Sequence, residues 1–576
     1  LRQYLAKSLP DYMIPASFVE LEKLPLTPNG KVDKKALPEP SGRMQTGAEY
    51  VAPTNPTEEM LVRVWQEVLG IEQVGIHDNF FRLGGDSIKA IQIASRLNQH
   101  NCKFKIQDLF QHPTVSELAS YVQSADLSVE QGIIEGEVML APIQKWAFQL
   151  STNIYHWNMG LMLYRPEGWE VKALEQAFGK IVEHHDALRM VYSTDGGTVV
   201  QRNRGMEGEL LAIEVFDLTG EADVRERILL EANRLHRKMN LRQGPLVQLG
   251  VFQTLEGDHL LIAIHHLVVD AISLRILMED FTTAYQQALE HKEIVLPPKT
   301  DSFRTWSRKL HEYANSDKLL QEIPYWKEIE ETPIPALPKD KEGPDTCFIK
   351  DSEMVVTTLN EEETNLLLTD VHQAYQTEIN DLLLTSLALT VREWTQAEKI
   401  AVTLEGHGRE EIIEGVDITR TVGWFTAMYP VIFNLKTNDL SQAIQVIKEN
   451  LRLIPNRGIG HSILKHLTTE ENKKSVTFGL TPEITFNYLG QVDSYSMNSM
   501  PVGEAVSPET KLWQKLDVNG AVTGEGILVI SFRYNAYVYR RETIESLVKR
   551  YKHYLREIIS HCRRQESTVL QVINRT

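Results

Sequence analysis

"AIHHLVVDAIS", residues 263–273, joins an apolar run to an amphipathic segment and holds two adjacent histidines with an aspartate four residues after the second. The apolar run is typical of a buried strand, and the segment after Asp270 has the period of a helix. His265 and His266 allow three interpretations: a buried structural pair, a metal site, or a base that accepts a proton. A metal site is disfavoured because no third ligand stands at a recognisable spacing.

Further strand-like runs alternate with amphipathic helices from residue 138 to the end. They are "KIAVTLEG" (399–406), "EITFNYLG" (483–490) and "ILVISFRY" (527–534), the last followed by a predicted helix over about 543–560. This alternation predicts an α/β fold. A segment of this length is too long to fold around a single hydrophobic core, so more than one lobe is expected.

The composition is that of a folded globular protein and disfavours several function classes. Of 576 residues, 60 are Lys or Arg and 78 are Asp or Glu, and the net charge of −18 opposes binding to nucleic acid or an anionic membrane. Cys102, Cys347 and Cys562 are scattered, which fits a reducing compartment. The apolar runs are too short to span a bilayer, so a cytoplasmic location is expected. The chain begins at Leu1 without methionine, which suggests a fragment of a larger protein.

Two weakly periodic stretches, 41–54 and 124–137, are predicted linkers, and residues 55–123 between them are predicted to form a small helical bundle. Asn55 is the expected N-cap of the first helix. A third helix is expected to begin at the capping box that starts with Thr114.

"LGGDSIKAIQ", residues 83–92, places a serine where the second helix begins, with a predicted extent of about 87–98. Gly84 and Gly85 allow a tight turn, and the helix start suits a phosphate attached to Ser87. A plain N-cap is the simpler explanation of this local pattern.

The longer stretch "DNFFRLGGDSIKAIQIASRL" resembles the peptidyl carrier proteins of nonribosomal peptide synthetases. In that family the serine of this motif carries 4′-phosphopantetheine, which the resemblance implies for Ser87. Asp86 resembles the carrier subtype that is paired with epimerization domains. A phosphopantetheinyl transferase is therefore an expected partner.

Residues 1–40 resemble the end of an adenylation domain, through "LPDYMIP" (9–15) and "LPLTPNGKVDKKALP" (24–38). The lysine that matches Lys31 contacts the acyl-adenylate in that family. Because nearly all of such a domain lies outside this sequence, no adenylation activity is expected from this chain alone. An upstream adenylation domain is an expected partner.

Residues 138–576 resemble the epimerization domains of the same synthetases, with motifs in the family's order. These are "APIQKWAF" (141–148), "HHLVVDA" (265–271), "EGHGRE" (405–410), "RTVGWFTAMYP" (420–430), "IPNRGIG" (454–460) and "FNYLGQ" (486–491). The resemblance implies a multidomain chain in which a small all-α four-helix carrier precedes a large α/β pseudo-dimer of two chloramphenicol-acetyltransferase-like lobes, about 138–310 and 311–576. A tunnel for the pantetheine arm is expected between these lobes.

The implied reaction converts an L-aminoacyl or peptidyl thioester into an L/D mixture. Inverting an α-carbon near neutral pH needs a base, a proton donor on the opposite face and stabilisation of the enolate. In the family these groups are a histidine and a glutamate that match His266 and Glu405. Desolvation raises the pKa of a carboxyl, so Glu405 is suited as base or acid. His266 is its counterpart or, as an imidazolium, holds the enolate oxygen. The sequence leaves these roles open.

Supporting roles are expected for residues near this pair. Asp270 is expected to orient a neighbour or form a salt bridge, and His265 to pack. Asn487 and Tyr488 match family residues that line the site, although a buried strand with an Asn-Tyr pair is the ordinary alternative.

His407 and Arg409 are expected to brace Glu405. Gly423 and Trp424 either shape the tunnel or pack the core.

The chain departs from the family pattern at two places. Ala271 and Leu274 stand where glycine and tryptophan are usual, and a methyl group at 271 strains the backbone if φ is positive there. His461 and Ser462 replace a more usual Tyr-Gly pair.

Two rival functions follow from these observations. A condensation domain of the same fold would use His266 to form an amide bond, whereas a degenerate lobe pair would only dock the carrier. "EGHGRE" and "FNYLGQ" favour the epimerase, which needs no metal and implies a downstream condensation domain that selects the D form.

Overall fold

A computed structural model of the chain describes residues 50–573 except 86, 101, 125–128, 151–152, 345 and 492–499. The adenylation remnant predicted at 1–40, with Lys31, lies outside the described residues, as do Asp86 and residues 41–49 of the first predicted linker. The described residues divide into two compact units. The small unit holds 50–124, 365–379 and 558–573, and the large unit holds 129–364 and 380–557.

The N-terminal part of the small unit is a bundle of four α-helices with one short pair of antiparallel strands. Its elements are α1 Pro56–Leu69, α2 Ser87–Gln99, α3 Ile106–Gln111, α4 Val115–Leu118, β1 Cys102–Lys103 and β2 Gln123–Ser124. The apolar helix faces pack around Leu61, Trp65 and Phe80. The predicted four-helix bundle is confirmed, and the short strand pair is an addition to it.

The ends of these helices follow the capping signals of the sequence. Asn55 caps α1, with its Oδ1 accepting from the N–H of Glu58 at 2.9 Å. Thr114 caps α4 as predicted, but this helix is a single turn that continues as a 3₁₀ turn over Ala119–Tyr121. Helix α3 was not predicted, because its six residues are too short for a periodic signal.

Part of each predicted linker packs against a folded unit. The N–H of Ile76 donates to the Val51 carbonyl at 3.1 Å, which attaches the end of the first linker to the bundle. In the second linker, the N–H of Ile134 donates to Asp186 at 3.2 Å and its side chain is buried. Residues 129–137 therefore belong to the large unit, because burial of Ile134 offsets the cost of ordering them.

The first lobe of the large unit has two sheets. Its strands are β3 Gly136–Val138, β4 Asn158–Arg165, β5 Met190–Asp195, β6 Thr198–Asn203, β7 Ala212–Asp217, β8 Val247–Thr254 and β9 Gly257–His265, and its helices are α5 Pro142–Leu150, α6 Val171–His184, α7 Val224–His236 and α8 Ala271–Leu289. The sheet orders are β4-β9-β8-β7 and β3-β6-β5. All nine residues of β9 are buried, as its continuous apolar run predicted.

The second lobe is built on a six-stranded mixed sheet of order β11-β17-β16-β14-β12-β13. The strands of this half are β10 Cys347–Phe348, β11 Ser352–Thr358, β12 Lys399–Gly406, β13 Ala427–Asn434, β14 Ile484–Gln491, β15 Lys511–Leu512, β16 Leu516–Val522 and β17 Leu528–Asn535. The helices that follow α8 in the chain are α9 Phe303–Tyr313, α10 Asp317–Leu320, α11 Ile323–Glu331, α12 Glu361–Leu368, α13 Ile379–Thr395, α14 Leu440–Leu453, α15 Ile459–His466 and α16 Arg541–Ile573.

One segment of the second half of the chain returns to the first lobe. Trp157 pairs with Val506 in an antiparallel bridge, and the N–H of Asn158 donates to the Ala505 carbonyl at 2.8 Å. The His236 ring also donates to the Val502 carbonyl at 2.9 Å. The two lobes are thus tied by backbone pairing beside β4. None of the helices among the described residues has the length and apolar character needed to cross a membrane.

Candidate functional site

Ser87 is the first residue of α2, as predicted, and the two preceding glycines shape the turn into this helix. Gly84 has a φ of 80°, in the left-handed region that favours glycine. A Cβ atom at Gly85 would lie 2.5 Å from the Phe80 ring, so a larger residue does not fit without displacing that ring. A tight glycine turn into the N-terminus of a helix suits a phosphate ester on the serine, and these residues fit 4′-phosphopantetheine.

His266 follows the last residue of β9 and begins a single 3₁₀ turn. Its N–H donates to the Trp157 carbonyl at 2.8 Å, which fixes the backbone. Its Nδ1 lies 2.8 Å from the Val269 carbonyl, and because a carbonyl only accepts, Nδ1 carries the proton. This tautomer leaves a lone pair on Nε2, so the ring can accept a proton there.

Aromatic side chains from both lobes enclose the His266 ring. Trp424 lies with its ring centre 4.4 Å away, and Trp157 contacts the ring edge-on at 6.2 Å. Burial lowers the pKa of His266, with the Asp270 carboxylate opposing the shift. The imidazole is therefore neutral at physiological pH.

His265, which is expected to pack, has the surroundings of a buried side chain. It is fully buried, its Nε2 donates to the Ile154 carbonyl at 2.9 Å, and its Nδ1 accepts from the N–H of Leu267 at 3.2 Å. Burial lowers its pKa to about 3. Both ring nitrogens are occupied, so His265 has no atom left to bind a metal.

Among the described residues, one group of side chains has its ligand atoms close enough together to hold a metal ion. The ligand atoms of His184, His185 and Asp280 all lie within 4.8 Å of one another. Asp280, however, is 2.7 Å from His185 Nε2 and 2.6 Å from Arg420 Nη2. Arg420 and Lys299 repel a further cation at His184. The cluster is a buried ion-pair network.

Asp270 caps α8 and joins the two lobes. Its Oδ1 accepts from the N–H of Ser273 at 2.7 Å and lies 3.2 Å from Arg409 Nη2, which belongs to the second lobe. Arg409 Nη2 also donates to Ser273 Oγ at 2.9 Å, and its Nη1 donates to the Ile418 and Thr421 carbonyls. The expected salt bridge of Asp270 is present in the geometry, with Arg409 as the partner.

The same network holds Trp424 against His266. Ser273 Oγ donates to the Gly423 carbonyl at 2.8 Å and accepts from its N–H at 3.1 Å, while the N–H of Phe425 donates to Asp270 at 3.1 Å. A Cβ atom at Gly423 would lie 2.3 Å from the Phe303 ring. Hydrogen bonds to the residues on both sides of Trp424 therefore fix its backbone.

Glu405 lies near the end of β12, where the sheet register places it beside Asn487 on β14. Asn487 Nδ2 donates to Glu405 Oε2 at 2.8 Å. Burial raises the pKa of Glu405 to about 8, and the Asp517 carboxyl on β16 adds to this shift. Glu405 therefore keeps its proton at neutral pH.

A short segment of chain connects the two titratable groups. Met428 pairs with Glu405 across β12 and β13, and Trp424, four residues earlier, packs on His266. The structure thus brings a neutral histidine from the first lobe and a protonated glutamate from the second lobe to the same end of β13.

Other predicted supporting residues lie elsewhere. Arg409 contacts Asp270 rather than Glu405, and His407 Nδ1 accepts from the N–H of Arg409 at 3.0 Å. The contacts found for these two side chains are with other residues, and their bracing of Glu405 stays a prediction. Tyr488 alternates to the opposite strand face from Asn487, and its ring lies beside Gly520.

The departures from the family pattern have ordinary surroundings. Ala271 is the first residue of α8, and its φ is not in the left-handed region, so the methyl group causes no backbone strain. Leu274 is buried in the core. His461 Nε2 lies 2.9 Å from Glu330, and Ser462 Oγ donates to the Met428 carbonyl at 2.7 Å.

Several residues at the site were not predicted. Gln144 donates to the Leu267 carbonyl at 2.8 Å, and its place in the quoted motif "APIQKWAF" was the available signal. Ser273 stands three residues after the cap Asp270, where a second cap contact is common. Asp517 acts on Glu405 only because β16 lies in the same sheet as β12, and the local sequence does not reveal the order of the strands.

This fold and site define the class of the protein. Residues 134–575 match the Condensation domain family, and residues 59–122 match the family named Phosphopantetheine attachment site. The chain belongs to the Condensation domain family, preceded by a phosphopantetheine attachment region. It is a nonribosomal peptide synthetase carrier with a condensation-fold enzyme domain, and covalent 4′-phosphopantetheine is its prosthetic group.

Relatives among the antibiotic synthetases are similar over nearly the whole chain. Tyrocidine synthase 1 of Brevibacillus parabrevis is 49% identical over 580 residues, which cover 98% of this chain and 53% of the relative. Gramicidin S synthase 1 of Brevibacillus brevis is 49% identical over 587 residues, which cover 99% of this chain and 53% of the relative. The chain thus spans about half the length of these relatives.

Among solved structures, the epimerization domain from the third module of tyrocidine synthetase B superposes with a TM-score of 0.73. The two are 45% identical, and the match covers 75% of this chain and 99% of that one. The predicted two-lobed fold and the resemblance to nonribosomal peptide synthetases are confirmed.

Proposed function

We propose that this chain epimerizes the α-carbon of an L-aminoacyl or peptidyl thioester, attached through 4′-phosphopantetheine to Ser87, to an L/D mixture. The observation that supports this reaction is the complementary state of two groups from different lobes. His266 is neutral with a lone pair on Nε2, and Glu405 is protonated. One group is ready to accept a proton and the other to donate one.

The reaction is an exchange of one proton on each face of the α-carbon. The pantetheine thiol holds the substrate as a thioester, which acidifies the α-hydrogen. His266 Nε2 takes this proton and the C–H electron pair moves into the substrate enolate; Glu405 then delivers its proton to the opposite face. The product state has an imidazolium and a carboxylate, and return of a proton from His266 to Glu405 through solvent resets the pair.

The protonation states favour one assignment of the roles that the sequence left open. Burial disfavours a charged His266, so the ring is a better base than a permanent cation that holds the enolate oxygen. A carboxylic acid at Glu405 is an acid for the L-to-D direction and, once ionised, a base for the reverse. Asn487 donates to Oε2 and thereby orients the carboxyl.

The order of steps around this chain follows from the attachment at Ser87. A phosphopantetheinyl transferase adds the arm, an upstream adenylation domain loads the L-amino acid, and a downstream condensation domain consumes the D form in the cytoplasm. The phosphopantetheine attachment region, the condensation-fold domain and the similarity to longer antibiotic synthases support this order.

Exchange of the α-hydrogen tests the proposal. With an L-aminoacyl-pantetheine on Ser87 in deuterated water, the released amino acid should gain one α-deuterium and become an L/D mixture, and Glu405→Gln and His266→Ala should each slow the inversion by at least about 100-fold. Lys436→Gln, an exposed change outside the site, should have no effect.

Two outcomes would overturn the proposal. Absence of exchange together with amide formation, when an aminoacyl acceptor is supplied, would identify a condensation enzyme. Absence of both reactions would identify a carrier-docking platform.

A further inference from the structure

The indole N–H of Trp424 is a buried donor that the folded chain leaves without an acceptor. The side chain is 3% exposed, and no oxygen or nitrogen atom of the described residues accepts from its Nε1. An unpaired buried donor is unfavourable, because folding removes the water that would otherwise accept from it. The folded chain therefore holds a polar atom that a bound molecule can satisfy.

This donor lies beside the proposed base. The centres of the Trp424 and His266 rings are 4.4 Å apart with 38° between their planes, and Nε1 belongs to the indole of this contact. Trp157 contacts both rings, with its centre 6.2 Å from that of His266 and 5.9 Å from that of Trp424. The three rings form one cluster, so a substrate bound at His266 also lies next to the indole.

Two other indole nitrogens in the described part of the chain are buried without an acceptor, and they provide a comparison. Trp65 packs on Phe80 in the carrier bundle, and Trp169 packs on Phe281 in the first lobe. Both indoles lie among aromatic rings of a hydrophobic core. Of the three unpaired indoles, that of Trp424 is the one that packs on the proposed base.

The backbone that carries this indole is fixed before a substrate binds. Ser273 Oγ donates to the Gly423 carbonyl at 2.8 Å and accepts from the Gly423 N–H at 3.1 Å. The Phe425 N–H donates to Asp270 at 3.1 Å. A donor that is fixed in advance stabilises developing charge without a cost of reorganisation. Trp424 therefore meets the requirement for a preorganised hydrogen-bond donor.

The proposed reaction develops a negative charge that neither member of the reacting pair binds. When His266 Nε2 takes the α-proton, the C–H electron pair forms the C=C bond of the enolate and the carbonyl π pair moves to the thioester oxygen. His266 then holds the proton, and Glu405 delivers its own proton to the opposite face of the α-carbon. The oxygen needs a separate donor, and such a donor stabilises charge most in a site from which water is excluded.

The side-chain amide donors described at the site are already engaged. Gln144 Nε2 donates to the Leu267 carbonyl at 2.8 Å, and Asn487 Nδ2 donates to Glu405 Oε2 at 2.8 Å. The unpaired indole N–H of Trp424 remains for the enolate oxygen.

We propose that Trp424 is a catalytic residue whose Nε1–H donates to the thioester carbonyl oxygen and stabilises the enolate. This inference rests on the proposed function, because the enolate forms only if the α-carbon loses its proton. The indole keeps its proton throughout. When Glu405 protonates the α-carbon, the electron pair returns from the oxygen to the carbonyl bond. Trp424 thus acts on the oxygen rather than on either transferred proton.

A soluble substrate tests the inference in the full chain with Ser87 unmodified. The substrate is an L-aminoacyl thioester of pantetheine, and the rate of its L-to-D inversion is measured. Trp424→Phe keeps an aromatic ring against His266 but removes the N–H, so kcat should fall about 100-fold. KM should change by less than about threefold, because the hydrogen bond is stronger to the enolate oxygen than to the neutral carbonyl.

Two further variants separate the N–H from the shape of the ring. The benzothiophene isostere of tryptophan has sulfur in place of Nε1–H and keeps the size of the side chain, and in place of Trp424 it should cause the same loss of kcat. Trp169→Phe removes an unpaired indole outside the site and should leave kcat within about twofold. Full kcat with the isostere would overturn the inference and leave the epimerase intact, since ring packing would then explain any loss in Trp424→Phe.

Nuclear magnetic resonance of the nine tryptophan indoles reports the hydrogen bond directly. The ligand is the L-aminoacyl amide analogue of the pantetheine substrate, in which nitrogen replaces the thioester sulfur and the α-hydrogen is retained. The indole signal of Trp424, identified by its loss in Trp424→Phe, should move downfield when this ligand is added to the isotopically labelled chain. The signal of Trp169 should stay in place.

The failure of the inference and the failure of the proposed function give different results. If the unaltered chain does not invert its substrate, the proposed function fails, and the resonance measurement still decides whether the indole binds the carbonyl. A Trp424 signal that does not move overturns the inference, including the case of a signal already downfield because a resident water accepts from the indole.

Discussion

Arg409 of the second lobe donates to Asp270 of the first, with Nη2 3.2 Å from Oδ1 and both side chains almost fully buried. Asp270 also caps the helix that follows His266 and accepts from the N–H of Phe425. One carboxylate thus sets the helix start, the lobe contact and the backbone next to Trp424. The surroundings of His266 are thus fixed by an interaction between lobes.

The first prediction concerns this ion pair. Asp270→Ser keeps an oxygen for the helix cap but leaves the Arg409 charge unpaired, so the free energy of unfolding should fall by about 3 kcal/mol. Tryptophan fluorescence during urea unfolding measures the change. Asp223 caps α7 at an exposed site, and Asp223→Ser should change stability by less than about 0.5 kcal/mol. Equal effects of the two substitutions would contradict a role for the ion pair.

The second prediction is a pH dependence that comes from Glu405. In the folded chain its pKa is about 8, against an ordinary value of 4.5, so its stabilising contribution is full below pH 4.5 and is lost as the pH rises to 8. Glu405→Gln has no proton to lose, and its stability relative to the unaltered chain should increase between pH 5 and pH 8. We expect an increase of about 1 to 2 kcal/mol, reduced by the partial access of water to this side chain.

Thermal unfolding at pH 5, 6.5 and 8 measures this difference. If Glu405 is the proton donor that we propose, the rate of L-to-D inversion by the unaltered chain should also fall above about pH 8, where Glu405 loses its proton. A stability difference that is the same at all three pH values would show that Glu405 is ionised in the folded chain.

The third prediction concerns Asn487, which donates to Glu405 Oε2. Asn487→Ala removes this donor, and kcat for epimerization should fall by about tenfold to 100-fold with little change in KM. Asn434 is the control, because it is exposed at the end of β13. Asn434→Ala should change kcat by less than about threefold. A change in KM alone at Asn487 would indicate substrate binding instead of carboxyl positioning.

The fourth prediction tests the turn before Ser87. Gly85→Ala places a methyl group 2.5 Å from the Phe80 ring, so the carrier should lose about 2 kcal/mol of stability and accept phosphopantetheine more slowly. Gly70 has a φ of 71° and open space around it, so Gly70→Ala should cost about 1 kcal/mol of backbone strain and leave modification unchanged. Mass spectrometry of the carrier follows the modification, and equal modification rates would show that the turn is irrelevant to it.

The fifth prediction concerns Ala271, which stands where the family usually has glycine. Because this residue adopts an ordinary helical conformation, Ala271→Gly should leave kcat within about twofold and stability within about 0.5 kcal/mol. A rate increase above about tenfold would show instead that the methyl group blocks the substrate.

Local patterns predicted much of the fold. The runs at 399–406 and 527–534 lie in strands because each is a continuous apolar segment of the length of a buried strand. Asn55 and Thr114 cap helices because short polar side chains satisfy free N–H groups. The return of residues 500–507 to the first lobe was not predictable, since pairing between distant segments leaves no local pattern.

The site was predicted less completely than the fold. His266 and Glu405 were identified from motifs, but their partners depend on sheet register and on contact between lobes. Asn487 meets Glu405 because β14 lies beside β12, and Arg409 meets Asp270 across the lobe boundary. Neither pairing follows from spacing along the chain.

The most direct test of the central claim starts from each enantiomer of the substrate and follows the chirality of the amino acid. Ser87 is loaded with the L-aminoacyl-pantetheine in one sample and with the D form in another, and the amino acid is released and resolved over time. Two-group proton exchange by His266 and Glu405 predicts that both samples reach the same L/D ratio. If each sample keeps the chirality with which it was loaded, the chain is not an epimerase.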